Sequence, residues 1–483
     1  MLQRLATLPV VTALGWSLTT LPTPLVAQSP KITFQPDSFV PSGRDPVPVE
    51  RGELLVPMNR SKAGSPMIAV RFLRFASRAV TPGPPIVYLA GGPGGSGIAA
   101  ARGPRWALFD MLRDVADVII LDQRGTGISH RSAPCRSSVS FPLDLPSTRE
   151  HVMRLYSDAV RECAAWWGKE GVDLSGYNTL ESAADLEAIR RGLGVPALDL
   201  LGISYGTHLA LAAIKTYPNS FRRAVLSGPE GLDQTVKLPS RNDGFWRRVQ
   251  ASIDADPAAK AIYPDAVGLI RRVLDRVAKD PVRVTVPTSR GEMTMLIGAF
   301  EIQRASGAIA DPASTAGLLE AYRRADSGDF TAFGRQAQRT TGEPFILQAM
   351  PLAMDVASGI SPERAARVAR EAETALLADA LNFPMPHVVG VAPELDLGES
   401  FRAPFMSSTP VLIFSGTLDG RTYPEGAADV AANFRSPAVI TAVNGGHNTI
   451  LVWPEAGQMM KRFFAGESFA STTVTMPAPR WVR

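Results

Sequence analysis

A serine-containing glycine turn between a buried strand and a helix constrains this chain more than any other stretch. Residues 198–201 are mostly apolar and predict a buried strand, and residues 207–217 carry apolar side chains at helical spacing. Between them, the segment Gly202-Ile203-Ser204-Tyr205-Gly206 has the Gly-x-Ser-x-Gly form of a nucleophile elbow. Both glycines are needed because a side chain at either position would collide with a neighbouring strand or helix. The stretch predicts that Ser204 stands at the carboxyl edge of a sheet.

Buried strands and helices alternate on both sides of this turn. Such alternation is typical of an α/β fold, with a mainly parallel sheet and helices on both faces. An extended lead-in over residues 31–50 and an antiparallel hairpin precede it. The predicted strands are 51–57, 67–75, 86–90, 118–122, 222–227, 411–415 and 438–443, and the predicted helices are 178–193 and 454–464.

Between residues 233 and 403 the buried-strand pattern almost disappears. Helical patterns cover 244–253, 265–278, 315–325 and 362–380, with a small hairpin at 282–286 and 292–297. A chain of 483 residues is long enough for a large core with an insertion. We therefore predict a core made of residues 28–232 and 404–483, interrupted by a mostly helical cap over 233–403.

The amino terminus resembles a secretory signal peptide. Arg4 precedes an apolar stretch, and Ala27 precedes a polar residue at the expected cleavage point. We expect residues 1–27 to be removed and the protein to be exported to the periplasm or the extracellular space, with no stable membrane insertion afterwards. The net charge is only +4, and its arginine pairs are scattered, which disfavours a nucleic-acid partner.

The chain contains only two cysteines, Cys135 and Cys163. In an exported protein, an even count at moderate spacing is compatible with one disulfide. The alternative is two unrelated buried thiols. No cluster of histidines or acids accompanies either cysteine, so we expect no metal site.

A glycine-rich loop, residues 91–97, follows the predicted strand 86–90. Its glycines allow unusual backbone angles and leave N–H groups uncovered. A phosphate cradle is the alternative, but neither the Lys-Ser/Thr pair nor the spacing of a nucleotide-binding loop is present. We expect the loop to contribute to an oxyanion hole.

Two further residues complete a candidate catalytic set with Ser204. Asp419 follows the strand at 411–415, and His447 follows the strand at 438–443. Of the five histidines, only His447 stands at a post-strand turn downstream of such an acid. The chain order Ser, Asp, His is the one this sheet fold imposes. We expect His447 to act as general base, Asp419 to orient it, and the N–H groups of Tyr205 and Gly92 to hold the oxyanion.

Taken together, these motifs resemble those of the α/β-hydrolase peptidases related to proline iminopeptidase and to the secreted tripeptidyl aminopeptidases. The motifs are residues 91–97, Asp122-Gln123-Arg124-Gly125-Thr126-Gly127, the Ser204 turn, Asp419 and Gly445-Gly446-His447. The resemblance implies release of residues or short peptides from an amino terminus, without a cofactor. It also implies that the Asp-Gln-Arg-Gly segment braces the floor of the active site.

The resemblance has limits. Ala90 stands where many relatives have His or Asn. Relatives bind the free amine of the substrate with acidic residues near the cap, and Glu230, Asp233 and Asp355 are the candidates here, although each could instead be a surface or capping acid. The same core also serves carboxylesterases and lactone hydrolases, so a small ester is the alternative substrate. A binding protein that retains the fold is a third possibility, against which the complete triad weighs.

Overall fold

The computed structural model describes residues 30–482 apart from 290, 340, 386 and the side chain of residue 389. The predicted signal peptide, residues 1–27, lies outside the described residues. None of the described helices is both long and apolar enough to cross a membrane.

A ten-stranded sheet forms the centre of the described chain, in the order β1-β2-β3-β5-β4-β7-β8-β12-β13-β14. β1, β2, β3 and β5 pair antiparallel in that sequence, and all pairs from β5 to β14 are parallel. The strands are β1 (Ile32–Phe39), β2 (Val47–Pro57), β3 (Met67–Phe75), β4 (Gly83–Leu89), β5 (Ala116–Asp122), β6 (Cys135–Ser140), β7 (Leu198–Ile203), β8 (Phe221–Ser227), β9 (Val282–Thr288), β10 (Gly291–Ile297), β11 (Pro344–Leu347), β12 (Val411–Gly416), β13 (Pro437–Val443) and β14 (Thr472–Thr475).

Helices flank the sheet and fill most of the chain between β8 and β12. Single 3₁₀ turns occur at Leu174–Gly176, Ala380–Asn382, Val389–Val391 and Pro393–Leu395. The α-helices are α1 (Gly97–Arg102), α2 (Trp106–Leu112), α3 (Arg149–Lys169), α4 (Thr179–Leu193), α5 (Tyr205–Thr216), α6 (Pro239–Asp254), α7 (Pro257–Ile262), α8 (Ala266–Lys279), α9 (Ala299–Ala305), α10 (Pro312–Asp326), α11 (Thr331–Ala337), α12 (Ala349–Ser358), α13 (Pro362–Ala372), α14 (Gly398–Arg402), α15 (Pro424–Ala431), α16 (Thr449–Val452) and α17 (Pro454–Phe464).

The central strands are mostly apolar because both faces of the sheet are covered. Along β4, Val87 and Leu89 belong to the core shared with α4 and α5, whereas Ile86 and Tyr88 belong to the core shared with α2 and α17. Side chains alternate between the faces of a strand, so a strand buried on both faces is apolar at most of its positions. The predicted α/β fold with helices on both faces is thereby confirmed.

The region between β8 and β12 has a hydrophobic core of its own. Helices α6, α8 and α10 and the antiparallel hairpin of β9 and β10 surround it, and Trp481 near the carboxyl end packs into it. Strand β11 of this region pairs with β6, which lies in the first part of the chain. The division into core and cap at residues 233 and 403 stays a prediction.

Two local expectations are wrong. The lead-in contains strand β1, which pairs along its whole length with β2; its exposed, polar sequence suits an edge strand. The helix expected over 362–380 ends at Ala372, and the following turn carries Leu376 and Leu377 into the core between β8 and β12. Burial of two leucines outweighs continuation of an exposed helix.

A disulfide joins Cys135 on β6 to Cys163 on α3, with their Cα atoms 5.6 Å apart. Both residues are buried. The cross-link therefore fastens the long helix α3 to the two-stranded sheet of β6 and β11.

Candidate active site

Ser204 occupies the sharp turn between β7 and α5. Its backbone has φ 55° and ψ −128°, a conformation that non-glycine residues rarely adopt. A Cβ atom on Gly202 would lie 2.6 Å from the Gly206 carbonyl oxygen, and one on Gly206 would lie 2.0 Å from the Leu89 carbonyl oxygen. The two glycines thus allow the strained turn that presents the half-buried serine at the end of the sheet.

Asp419 and His447 form a direct pair in the loops that follow β12 and β13. Asp419 is fully buried, and its Oδ2 lies 2.8 Å from His447 Nδ1. The other carboxylate oxygen accepts the N–H groups of Arg421 at 2.7 Å and Thr422 at 2.8 Å. The Thr422 hydroxyl donates to Asp419 Oδ2 at 2.7 Å and lies 3.2 Å from His447 Nδ1. These bonds fix the position of the carboxylate and of the imidazole.

The pair shifts the pKa of both members. Burial alone would raise the pKa of Asp419, but the charge of His447 and the hydrogen bonds from His447 and Thr422 hold it below its ordinary value. Burial alone would lower the pKa of His447, but the charge and hydrogen bond of Asp419 raise it above its ordinary value. An acid that stays ionised beside the ring is the arrangement that stabilises an imidazolium.

The end of β8 contacts both Ser204 and His447. The Ser204 N–H donates to the Ser227 carbonyl at the end of β8, at 3.0 Å. A Cβ atom on the next residue, Gly228, would lie 3.0 Å from both Cε1 and Nδ1 of His447. No hydrogen bond joins Ser204 Oγ to His447 among the described residues. Serine, acid and histidine nevertheless meet at one edge of the sheet, and catalytic hydrogen bonds often tighten only when substrate binds.

The glycine loop after β4 lies against Ser204. A Cβ atom on Gly91 would lie 2.9 Å from Ser204 Cβ and 3.5 Å from its Oγ. Gly92 has φ 129°, which favours glycine. Within the described residues, the N–H groups of Gly92 and Tyr205 donate to no protein acceptor. Neither of the two predicted oxyanion donors is therefore engaged elsewhere in this part of the chain, and their role stays a prediction.

Residues 122–124, at the end of β5 and directly after it, hold the glycine loop in place through hydrogen bonds. The Asp122 carboxylate accepts the Ser96 hydroxyl at 2.8 Å and the Ile98 N–H at 3.1 Å. Gln123 donates to the Ala90 carbonyl at 3.2 Å. The fully buried Arg124 donates two hydrogen bonds of 2.7 Å to Asp185. The segment holds the glycine loop beside the serine, as the resemblance implied.

A cavity of about 110 Å³ opens onto Ser204 and Gly92, and two of the acidic candidates line it. Glu230 is paired there with Lys237, and although its burial alone would raise its pKa, the charge of Lys237 holds that pKa below its ordinary value. The Asp355 carboxylate makes no hydrogen bond or ion pair with the described residues, and burial with the nearby Glu230 raises its pKa to about 7. The third candidate, Asp233, instead accepts the N–H and hydroxyl of Ser361, the residue that caps the start of α13.

A larger, mostly apolar cavity of about 490 Å³ adjoins the first one. Pro93, Asp355 and Met385 line both cavities, whereas Leu352 and Tyr156 line only the larger one. It therefore offers room for an apolar group beside the glycine loop.

Three site residues were not identified from the sequence: Thr422, Gly228 and Lys237. Thr422 could have been found, because an aspartate commonly accepts the N–H groups two and three residues ahead of it in a turn. Nothing in the spacing of Gly228 or Lys237 indicates their role. The other histidines that make side-chain bonds are engaged elsewhere, His208 with Gly231 and Ser358, and His387 with Asp379.

Comparison with known proteins places the chain among proteins of this architecture. Residues 84–277 match the family described as the α/β hydrolase fold. The chain is 30% identical to serine protease Hip1 of Mycobacterium tuberculosis over 185 residues, 37% of this chain and 35% of that protein. It is 31% identical to a tripeptidyl aminopeptidase of Streptomyces coelicolor over 232 residues, 46% of this chain and 40% of that one. The chain thus covers well under half the length of these relatives.

A solved structure, that of a proline iminopeptidase-related protein of Thermus thermophilus, is also similar. It is 17% identical, with 86% of this chain and 97% of that chain covered and a TM-score of 0.37. The family match and the relatives confirm the resemblance to α/β-hydrolase peptidases that the motifs indicated.

Proposed function

The chain has the α/β-hydrolase fold, and from that premise we propose that it is a serine hydrolase that releases residues or short peptides from peptide amino termini. The observation that carries the proposal is the Asp419–His447 pair at the same sheet edge as the strained Ser204. The similarity to a serine protease and to a tripeptidyl aminopeptidase supports the reaction class.

The proposed reaction proceeds through an acyl-enzyme. His447 takes the proton of the Ser204 hydroxyl as the oxygen attacks the scissile carbonyl, and later gives that proton to the leaving amine. Asp419 keeps Nδ1 of the ring protonated and stabilises the imidazolium. Water then attacks the ester, again with His447 as base. The N–H groups of Gly92 and Tyr205 hold the oxyanion in both steps, and losing one such donor costs about 3 to 4 kcal/mol of transition-state stabilisation.

Asp355 is the proposed contact for the free amine of the substrate. Its carboxylate lies in the Ser204 cavity and has no partner among the described residues, whereas Glu230 is already paired with Lys237. A bound ammonium would stabilise the ionised form of Asp355 and lower its raised pKa. Glu230 adds negative charge beside it. This arrangement favours a substrate with an unblocked amino terminus.

A carboxylesterase or lactone hydrolase is the second candidate function. The apolar cavity of about 490 Å³ beside the glycine loop favours it, because such a space would take an apolar acyl group.

One assay panel separates the two functions. Prolyl and tripeptidyl arylamides, with free and with blocked amines, would be compared with short p-nitrophenyl esters, using wild type and Asp355→Asn. A peptidase of the proposed kind turns over the free-amine arylamides, and Asp355→Asn raises KM for them while leaving the ester KM unchanged. Turnover of esters alone, or equal turnover of free and blocked amines, contradicts the peptidase assignment. Turnover of nothing would favour a binding protein.

Export is also proposed, on the basis of the residues near Ala27 and of the disulfide. Expression of the full chain followed by amino-terminal sequencing of the extracytoplasmic fraction tests it. Processing after Ala27 is expected, and an uncleaved protein confined to the cytoplasm would contradict it.

A further inference from the structure

A cavity of about 310 Å³ carries an unusual concentration of arginine. Arg304, Arg339 and Arg421 line it, and it shares Leu381, Phe383 and Arg421 with the cavity that opens onto Ser204. The two spaces are therefore neighbours across a common wall.

Two of the three guanidinium groups feel the charge of an acid without a direct bond: Glu301 acts on Arg304, and Glu230 acts on Arg421. None of them makes a side-chain hydrogen bond or a salt bridge with the described residues. The Arg304 guanidinium lies over the Phe383 ring, 4.1 Å from its centroid, and is half-buried. One acid, Glu301, also lines the cavity, but its Oε2 accepts the Gly298 N–H at 2.8 Å and burial raises its pKa to about 7. Three cations that form no salt bridge with the described residues attract a negatively charged ligand.

Arg421 links this cavity to the catalytic machinery. Its backbone N–H donates to the Asp419 carboxylate, so the backbone of Arg421 is held beside that acid. A Cβ atom on Gly307, at the end of α9, would lie 3.7 Å from Arg421 Nη1. The guanidinium thus reaches from the triad loop to the cavity wall built by α9.

We propose that Arg304, Arg339 and Arg421 bind a carboxylate in the leaving segment of the substrate, so that the enzyme prefers short peptides with a negative charge soon after the cleaved bond. The inference rests on the proposed peptidase function. In this arrangement, Asp355 would contact the amino terminus of the substrate, and the three arginines would contact its leaving segment. Guanidinium groups suit a carboxylate because they match its planar shape with paired hydrogen bonds.

The size of the cavity suggests a short leaving segment. A volume of about 310 Å³ corresponds to roughly ten water molecules. The carboxylate could be the carboxyl terminus of a short peptide or the side chain of an acidic residue. Both present the same chemistry to the arginines, and the substrates below distinguish them.

The test compares matched peptides that share the amino-terminal segment accepted in the arylamide assay and end in Ala-Ala, as the free acid and as the amide. A second pair, both amides, ends in Ala-Glu and Ala-Gln. For wild type we expect kcat/KM for the charged member of at least one pair to exceed that of its neutral partner by about tenfold. A preference in the first pair identifies the carboxyl terminus, and one in the second identifies an acidic side chain.

Two variants and a matched control assign the preference to the cavity. Arg339→Gln removes an exposed cation, and Arg304→Gln removes the half-buried one; each should reduce the ratio of charged to neutral substrate at least threefold. Arg335→Gln makes the same change of charge on an exposed residue of α11 that does not line the cavity. We expect it to keep the wild-type ratio.

The outcomes separate this inference from the function on which it rests. If wild type cleaves free-amine arylamides but treats both peptide pairs equally, or if Arg335→Gln lowers the ratio as much as Arg339→Gln, the carboxylate site is wrong and the peptidase stands. If only esters are turned over, the peptidase assignment fails and the site fails with it.

Discussion

Replacement of Gly228 by alanine should displace the imidazole of His447, the proposed general base. The added Cβ would lie 2.9 Å from the Thr422 hydroxyl and 3.0 Å from two atoms of the His447 ring, whereas ordinary contacts begin near 3.4 Å. The ring and the hydroxyl must therefore retreat by about half an ångström. Since a misplacement of ~1 Å can cost about a hundredfold in rate, we expect kcat to fall by about ten- to a hundredfold.

The same substitution also strains the backbone, because Gly228 has φ 56°. That strain should lower the free energy of unfolding by about 1 to 2 kcal/mol. Gly194→Ala is the matched control, since Gly194 has φ 67° and open space where its Cβ would stand. Both variants should lose similar stability in urea titrations, but only Gly228→Ala should lose turnover of the best substrate. A kcat for Gly228→Ala no lower than that of Gly194→Ala would refute the placement of the imidazole.

Three further outcomes are expected. Because the charge and hydrogen bond of Asp419 raise the pKa of His447 above its ordinary 6.5, and the ring must be neutral to act as base, kcat/KM for the p-nitrophenyl esters, which do not engage Asp355, should fall as pH drops, with its midpoint above pH 6.5; a midpoint below that value contradicts the ion pair. Asp419→Asn should move that midpoint to lower pH and reduce kcat by about 10⁴, as measured by pH–rate profiles. Mass spectrometry of unreduced protein should find Cys135 joined to Cys163, and reduction should lower the free energy of unfolding by about 3 kcal/mol; free thiols would exclude the disulfide.

The parts of the fold that could be predicted are those with a strong local pattern. The elbow at Ser204 lies between an apolar strand and a helix, and α17 coincides with the predicted 454–464. Asp419 and His447 could be identified because each follows an apolar strand in the order that the sheet requires. Burial on both faces leaves an unbroken apolar run that is easy to recognise in sequence.

The rest depends on contacts between distant segments. Strand β1 is polar and mostly exposed, and only its pairing with β2 makes it a strand. Likewise, β6 and β11 are more than two hundred residues apart and pair with each other. The spacing of the three acidic candidates gives no reason to distinguish Glu230 and Asp355, which line the Ser204 cavity, from Asp233, which binds the residue that caps α13. Arg304, Arg339 and Arg421 line the cavity of about 310 Å³. They come from α9, from the turn after α11 and from the loop after β12, which no local sequence pattern brings together.

The account depends most directly on Ser204 as the nucleophile. Wild type and Ser204→Ala would be treated with a serine-directed fluorophosphonate, and the adduct located by peptide mapping and mass spectrometry. The account predicts one adduct on Ser204 in wild type, loss of turnover in proportion to labelling, and an unlabelled, folded, inactive Ser204→Ala protein. Labelling at another serine, or full turnover by Ser204→Ala, would contradict it.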